Sequence, residues 1–183
     1  MFNCAVVNAG PLVALSLLDQ LDLLPALYAE CWVPQTVFNE VAVAGLGKPG
    51  AKSLQSSDWL ARVRVSPIPD PLLVMELDAG EAEVISLARQ LSPSTAVIDE
   101  RRGRRIAQQV YGLTVKGTDG ILVEAKRRGL ISGVRPNLLA LRVEGYFIAE
   151  SVIVAACLAA GECHATRDVS GAKSCQRLHG AVQ

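Results

Sequence analysis

The sequence predicts an α/β protein in which a parallel sheet carries helices on both faces. Two observations point there first. Short apolar runs recur along the chain, among them "CAVV" (4–7), "CWV" (31–33) and "STAVID" (94–99), and each leads into a segment with helical spacing. Strands that alternate with helices build parallel sheets, because each crossover helix packs back on the sheet. The third observation is composition. Half of the 183 residues are hydrophobic and only 4% are aromatic, so the core is aliphatic and of useful size. The length suits one domain, placed at residues 1–162.

The elements follow in order. "CAVV" is a short buried strand, "NAGP" a turn, and Pro11 suits the first turn of a helix. Residues 12–29 read as two helices, broken near Asp19–Leu21 or at Pro25. "CWV" is the second strand. Pro34 then opens a helix that carries Glu40 and ends near Gly45. "GLGKPGAKSLQSSDWL" is a Gly/Lys/Ser-rich connection, and "ARVRVSPIPDP" a short strand followed by a proline-rich loop. "DAGEAEVISLARQL" is a helix capped by Asp78, with Ala82, Ile85 and Ala88 at helical spacing. "STAVID" is a strand ending in acid, and "ERRGRRIAQQVYG" a helix closed by Gly112. "LTVKGTDG" is a strand and turn, and "GILVEAKRRG" a helix closed by Gly129. "NLLALRVEGYF" and "ESVIVAACLAAG" are two further helices.

Several function classes are excluded or disfavoured. No apolar run is long enough to span a membrane, and the N-terminal stretch lacks the positive n-region of a secretory signal, so a cytoplasmic protein is expected. Five scattered cysteines do not suggest a disulfide framework; Cys4, Cys31 and Cys157 read as buried thiols. The only histidines, His164 and His179, lie in the last 21 residues, which argues against a Ser-His or Cys-His nucleophile in the body. Cys163, His164, Cys175 and His179 have zinc-ligand chemistry, but their spacing fits no standard finger, so residues 163–183 read as a disordered tail. Neither a GxxxxGK[ST] phosphate loop nor a GxGxxG fingerprint is present.

Charge is balanced overall and uneven locally. Residues 1–100 hold 5 Lys/Arg against 12 Asp/Glu; residues 101–150 hold 10 against 4. The densest basic cluster, Arg101, Arg102, Arg104 and Arg105, stands directly behind Asp99 and Glu100. Such asymmetry fits an anionic partner or simply solvated helix faces.

The candidate chemistry is therefore carboxylate chemistry. Ligands of open parallel sheets gather at the carboxyl ends of the strands. Asn8, Asp99 and Asp119 each follow a strand, and the helical Glu40 and Glu81 can join them. Clustered acids call for a neutralising cation, and Mg²⁺ or Mn²⁺ prefers oxygen ligands. Each acid also has an ordinary role open to it: Glu40, Glu81 and Glu83 as exposed helical acids, Asp99 as a helix cap.

These stretches, "VVNAGPLVAL", "LDLLPALYAECWVPQTVFNEV", "LDAGEAEVISLA", "VIDERRGRRIA", "GTDGILVEAKRRGLI" and "VRPNLLALRVEGYFIAE", together resemble the PIN-domain (PilT N-terminus) nucleases over about residues 4–162. They are most similar to a prokaryotic branch known only as a domain of unknown function. The resemblance implies a three-layer α/β/α sandwich with a central parallel sheet and an acidic metal pocket. It also implies a Mg²⁺- or Mn²⁺-dependent endoribonuclease, similar to the toxins of toxin–antitoxin modules, with RNA and an antitoxin protein as partners and a homodimer as a common assembly. It places Glu40, Glu81 and Asp99 as catalytic residues and Asn8, Glu40, Glu81, Asp99 and Asp119 as metal ligands. Arg101, Arg104, Arg105, Lys116, Lys126, Arg127 and Arg128 would contact phosphates. One departure stands out: Asn8 occupies a position where similar proteins usually carry Asp. A catalytically weak or inactive module that binds nucleic acid or a partner is the alternative that this departure supports. An unrelated small-molecule α/β enzyme is a third reading.

Overall fold

A computed structural model describes residues 4–43, 63–64 and 66–162. The Gly/Lys/Ser-rich connection and the Cys/His-containing tail both lie outside the described residues, as does Gly45. The five described strands are β1 (Cys4–Val7), β2 (Glu30–Pro34), β3 (Val63–Arg64), β4 (Ser94–Val97) and β5 (Thr114–Lys116). They form one sheet in the order β3-β2-β1-β4-β5, and every pairing is parallel. β1 is buried along its whole length because it pairs on both sides and is covered on both faces. An unbroken apolar run such as "CAVV" is what that position requires.

Helices α1 (Ala9–Leu17), α2 (Leu23–Leu27), α7 (Thr118–Arg127), α8 (Val134–Val143) and α9 (Glu150–Ala159) pack together in one layer. Helices α3 (Gln35–Phe38), α4 (Pro71–Glu76), α5 (Ala79–Gln90) and α6 (Arg101–Gln109) belong to the other, with α5 lying across β1, β2 and β4. The fold is thus the expected α/β/α sandwich. Its core is aliphatic, with Leu12, Leu15, Ile85, Leu87, Ile98, Ile121, Leu138 and Leu141 among its fully buried side chains.

Several local expectations are sharpened or corrected. The first helical stretch breaks at Asp19, which takes a left-handed conformation (φ 55°) while the Gln20 N–H donates to the Leu15 carbonyl. Pro25 instead lies inside α2; in so short a helix its missing N–H removes little. The helix carrying Glu40 is α3, which widens into a π-turn over Asn39–Val43. The proline-rich loop ends earlier than expected. Asp70 accepts from the Leu73 N–H and Pro71 begins α4, so a cap-plus-proline start sits in the sequence there. Helix α7 begins at Thr118 rather than Gly120, and Gly112 and Gly129 stand with positive φ just beyond α6 and α7.

A candidate acidic site at the sheet's switch point

All five strands point the same way, so their carboxyl ends share one edge. The strand order reverses direction between β1 and β4, and the crevice there is where doubly wound sheets bind ligands. Asn8 follows β1 and is locked to β4 by its N–H, which donates to the Val97 carbonyl at 3.0 Å. Asp99 follows β4 by two residues. The N-termini of α1, α5, α6 and α7 converge on this edge, and their positive dipole ends favour acidic side chains.

Asp99 is the most firmly held residue of the group. Oδ1 accepts from the Thr118 N–H at 2.7 Å. Oδ2 accepts from the Thr118 hydroxyl at 2.7 Å and the Tyr146 hydroxyl at 2.9 Å. Asp99 therefore caps α7, the helix of the next strand, rather than α6, the helix it precedes. Tyr146 comes from the α8–α9 turn; burial first, then the charges of Asp99 and Glu100, push its hydroxyl pKa upward, so it stays a donor.

Glu81, for which the sequence also left open the role of an ordinary exposed helical acid, is buried instead. It sits in the first turn of α5, is only 5% exposed, and its Oε1 has no hydrogen-bond partner. Burial first, then the charges of Asp78 and Glu100, push its carboxyl up to about 7. Glu100 is also raised, by desolvation and then by Asp99 and Asp78. Asn8 Nδ2 donates to Glu100 Oε2 at 3.5 Å. Glycines let these groups close up. A Cβ at Gly103 would collide with the Glu81 carboxylate, and one at Gly117 would fall on Arg104, Asp119 and Asp99 together.

The remaining candidates divide. Glu40 is exposed on the π-turn after α3, and no hydrogen bond or ion pair joins it to the other acids. Glu83 caps α3 by accepting from the Thr36 N–H and hydroxyl. Asp119 pairs with Arg104 Nη1 at 3.5 Å. Arg102 pairs with Glu76. Arg101 and Arg105 have no ion-pair partner among the described residues and line a groove of about 1160 Å³ that also takes in Asp99, Arg104, Tyr146 and Phe147.

Four expected phosphate contacts lie elsewhere. Lys116 runs along α7 towards Glu124 and the Tyr28 ring. Lys126 donates to the Ser132 carbonyl, Arg127 to the Ala159 carbonyl, and Arg128 to Glu124 and the Leu27 carbonyl. The last three sit at the C-terminal end of α7, about 15 Å along the helix from Asp99's cap. There they satisfy free carbonyl ends, which is why the sequence places them together. The reading from sequence also missed Glu100, Thr118 and Tyr146 as site residues. Glu100 was visible beside Asp99; nothing local announces Tyr146, which arrives from 47 residues away.

The donor set is hard oxygen throughout: carboxylates of Asp78, Glu81, Asp99 and Glu100 and the Asn8 carbonyl. Asn8 Oδ1 and Asp78 Oδ1 both lie near the start of α5, each 3.5 Å from where a Cβ on Gly80 would stand. Among the described residues no three acidic, Cys or His side chains converge into a closed ligand set. A cation such as Mg²⁺ needs less, because it binds through one or two carboxylates and keeps several waters. The unpartnered Glu81 oxygen and the raised Glu100 are what such a cation would relieve, so these residues fit the group.

A sandwich of this order defines an α/β protein of the doubly wound class, with a group of acids gathered at its switch point. The sequence matches a family described as PIN domain over residues 4–162, and the chain belongs to that family. PIN domains are generally nucleases, which agrees with a site of this kind. No curated protein and no solved structure matches the chain. Among the described residues no helix is long and apolar enough to cross a membrane.

Proposed function

We propose that this protein is a metal-dependent endoribonuclease that hydrolyses RNA phosphodiester bonds and acts as the toxin-like component of a toxin–antitoxin pair. The observation that carries the reading is the buried, unpartnered Glu81 oxygen beside Asp78 and Glu100, at the same edge as Asp99. A buried acid in such company is costly without a cation. Asp99 and Glu81 would hold Mg²⁺ or Mn²⁺, with Asn8 offering its carbonyl and Glu40 joining from the end of α3.

When bound, the cation supplies charge shielding for the phosphate and an acidified water. The chain's own residues do the rest. Thr118 and Tyr146 fix the orientation of Asp99. Arg101 and Arg105 hold backbone phosphates along the groove, which positions a strand without reading its sequence. Because the chemistry is carboxylate-based, the histidine-free body is no obstacle.

The test is RNA cleavage with Mn²⁺ or Mg²⁺, using Asp99→Asn as control. Cleavage by the wild type that is lost in Asp99→Asn is expected; cleavage that persists in Asp99→Asn sinks the assignment. For the toxin role, expression of the wild type alone should slow growth of its host cell, and Asp99→Asn should not. A second reading, a binding module without catalysis, is favoured by Asn8, whose amide donates to Glu100 where a carboxylate would add charge. RNA binding without cleavage at any metal concentration would select it.

A further inference from the structure

Asp119 and Arg104 form a pair whose geometry assigns them a joint task. Arg104 stands on α6 and Asp119 in the first turn of α7, and the two meet at 3.5 Å over Gly117. Gly117 is the point of closest approach: the Arg104 guanidinium, Asp119 Oδ1 and Asp99 Oδ1 all crowd the space a side chain there would fill. Arg104 forms no ion pair with Asp99, although the two are neighbours across this glycine. The guanidinium thus answers Asp119, and the Asp99 carboxylate has no ion-pair partner among the described residues.

A guanidinium carries five donors in a planar fork. A single 3.5 Å contact leaves most of them free, and Arg104 lines the groove and is one-third exposed. A cation on Asp99 and the Arg104 fork would then flank one volume with two positive charges. The group that fits between them is an anion with several oxygens, and a phosphodiester of RNA is such a group. Resting on the nuclease reading, we propose that Arg104 grips the scissile phosphate itself and that Asp119 is not a metal ligand but the positioning residue that aims Arg104. This distinguishes Arg104 from Arg101 and Arg105, which contact the strand on either side. It also corrects the expected place of Asp119 in the ligand set.

The experiment has two arms. The first is binding of a short fluorescein-labelled single-stranded RNA in EDTA, by anisotropy at several salt concentrations. Arg104→Ala should weaken binding by about tenfold or more and reduce the salt slope by about one. Arg104→Lys should recover the slope but not cleavage, since a point charge replaces the fork. Arg127→Ala is the control and should leave the slope unchanged, because that side chain lies outside the groove and donates to the Ala159 carbonyl at the far end of α7. The second arm is Mn²⁺ binding without RNA, by electron paramagnetic resonance. Asp119→Asn should bind Mn²⁺ like the wild type, yet lose about tenfold in kcat with little change in KM; Asp119→Glu should recover part of that loss.

An Asp119→Asn variant that loses Mn²⁺ affinity as Asp99→Asn does would return Asp119 to the ligand set and overturn the proposal. Wild-type affinity and salt slope in Arg104→Ala would overturn it too, while wild-type cleavage would leave the nuclease reading standing. A wild type that binds RNA through Arg104 without cleaving would overturn the scissile-phosphate assignment together with the nuclease reading and select the binding module. One that neither binds nor cleaves RNA rejects both.

Discussion

Glu81 gives the sharpest quantitative prediction, because its penalty is electrostatic and its sign follows from linkage. The carboxyl lies 5% exposed against Gly103, with one oxygen unpartnered, and is raised from 4.5 to about 7. In the unfolded chain it titrates near its ordinary value. Between pH ~4.5 and ~7 the folded protein therefore holds a proton that the unfolded chain releases. Unfolding free energy contributed by Glu81 falls as pH rises through that window and levels off above it. The full displacement is worth ~3 kcal/mol, and relaxation around the ionised group brings the expected effect to about 2 kcal/mol. The perturbation is Glu81→Gln, with both proteins kept in EDTA and unfolded by urea from pH 4.5 to 8.5. Gln adds a constant offset, so the slope of the difference against pH is the readout. Asp70, Glu124 and Glu162 are lowered groups whose effects act at more acidic pH and cancel between the two proteins, whereas Glu100, also raised and coupled to Glu81, is eased when the Glu81 charge is removed and adds to the difference in the same sense. The variant should gain about 2 kcal/mol on the wild type between the ends of the range, or roughly 4–8 °C in Tm for a chain of this size. Mn²⁺ at about 100 times its Kd should stabilise the wild type by ~2.7 kcal/mol at pH 8 and the variant by much less. Equal pH slopes in the two proteins would refute the reasoning, since Glu81 would then be as solvated folded as unfolded.

Other outcomes follow from the same contacts. Gly103→Ala forces a methyl into the Glu81 carboxylate and should lower stability by about 1–3 kcal/mol, read by thermal unfolding in EDTA. Tyr146→Phe removes one donor from Asp99 and should reduce cleavage about tenfold with about 1 kcal/mol or less lost in stability, so a variant with full activity would show that Tyr146 does not orient Asp99. Arg127→Ala should cost about 1 kcal/mol through its lost bonds to the Ala159 carbonyl, while RNA affinity measured by anisotropy stays at the wild-type value. Asn8→Asp replaces a donor facing Glu100 by a second carboxylate; it should destabilise the metal-free protein at pH 8 and tighten Mn²⁺ binding, both measurable in one titration series.

The sequence by itself determined the sandwich, the order of most elements and the edge where the chemistry would lie. Alternating strand and helix signals are local, and a parallel sheet then obliges every strand end and helix start to meet on one side. That is why Asn8, Glu81 and Asp99 were legible as a group. Glu83 and Glu81 show where legibility ends: two acids two residues apart on α5, one capping α3 and the other buried and unpartnered. Periodicity gives a helix face, but not what that face meets.

Only the tertiary structure decided which basic residues were free. Seven Lys and Arg residues looked equivalent as phosphate contacts. Packing committed Lys126, Arg127 and Arg128 to carbonyls at the far end of α7, turned Lys116 towards Glu124, and left Arg101 and Arg105 open to the groove. It also brought Tyr146 onto Asp99 and Arg104 onto Asp119, contacts that join separate elements. The physical reason is the range of each force. Apolar spacing and capping act within a few residues and can be read along the chain. Desolvation, ion pairing and hydrogen-bond satisfaction depend on neighbours that only the folded chain supplies.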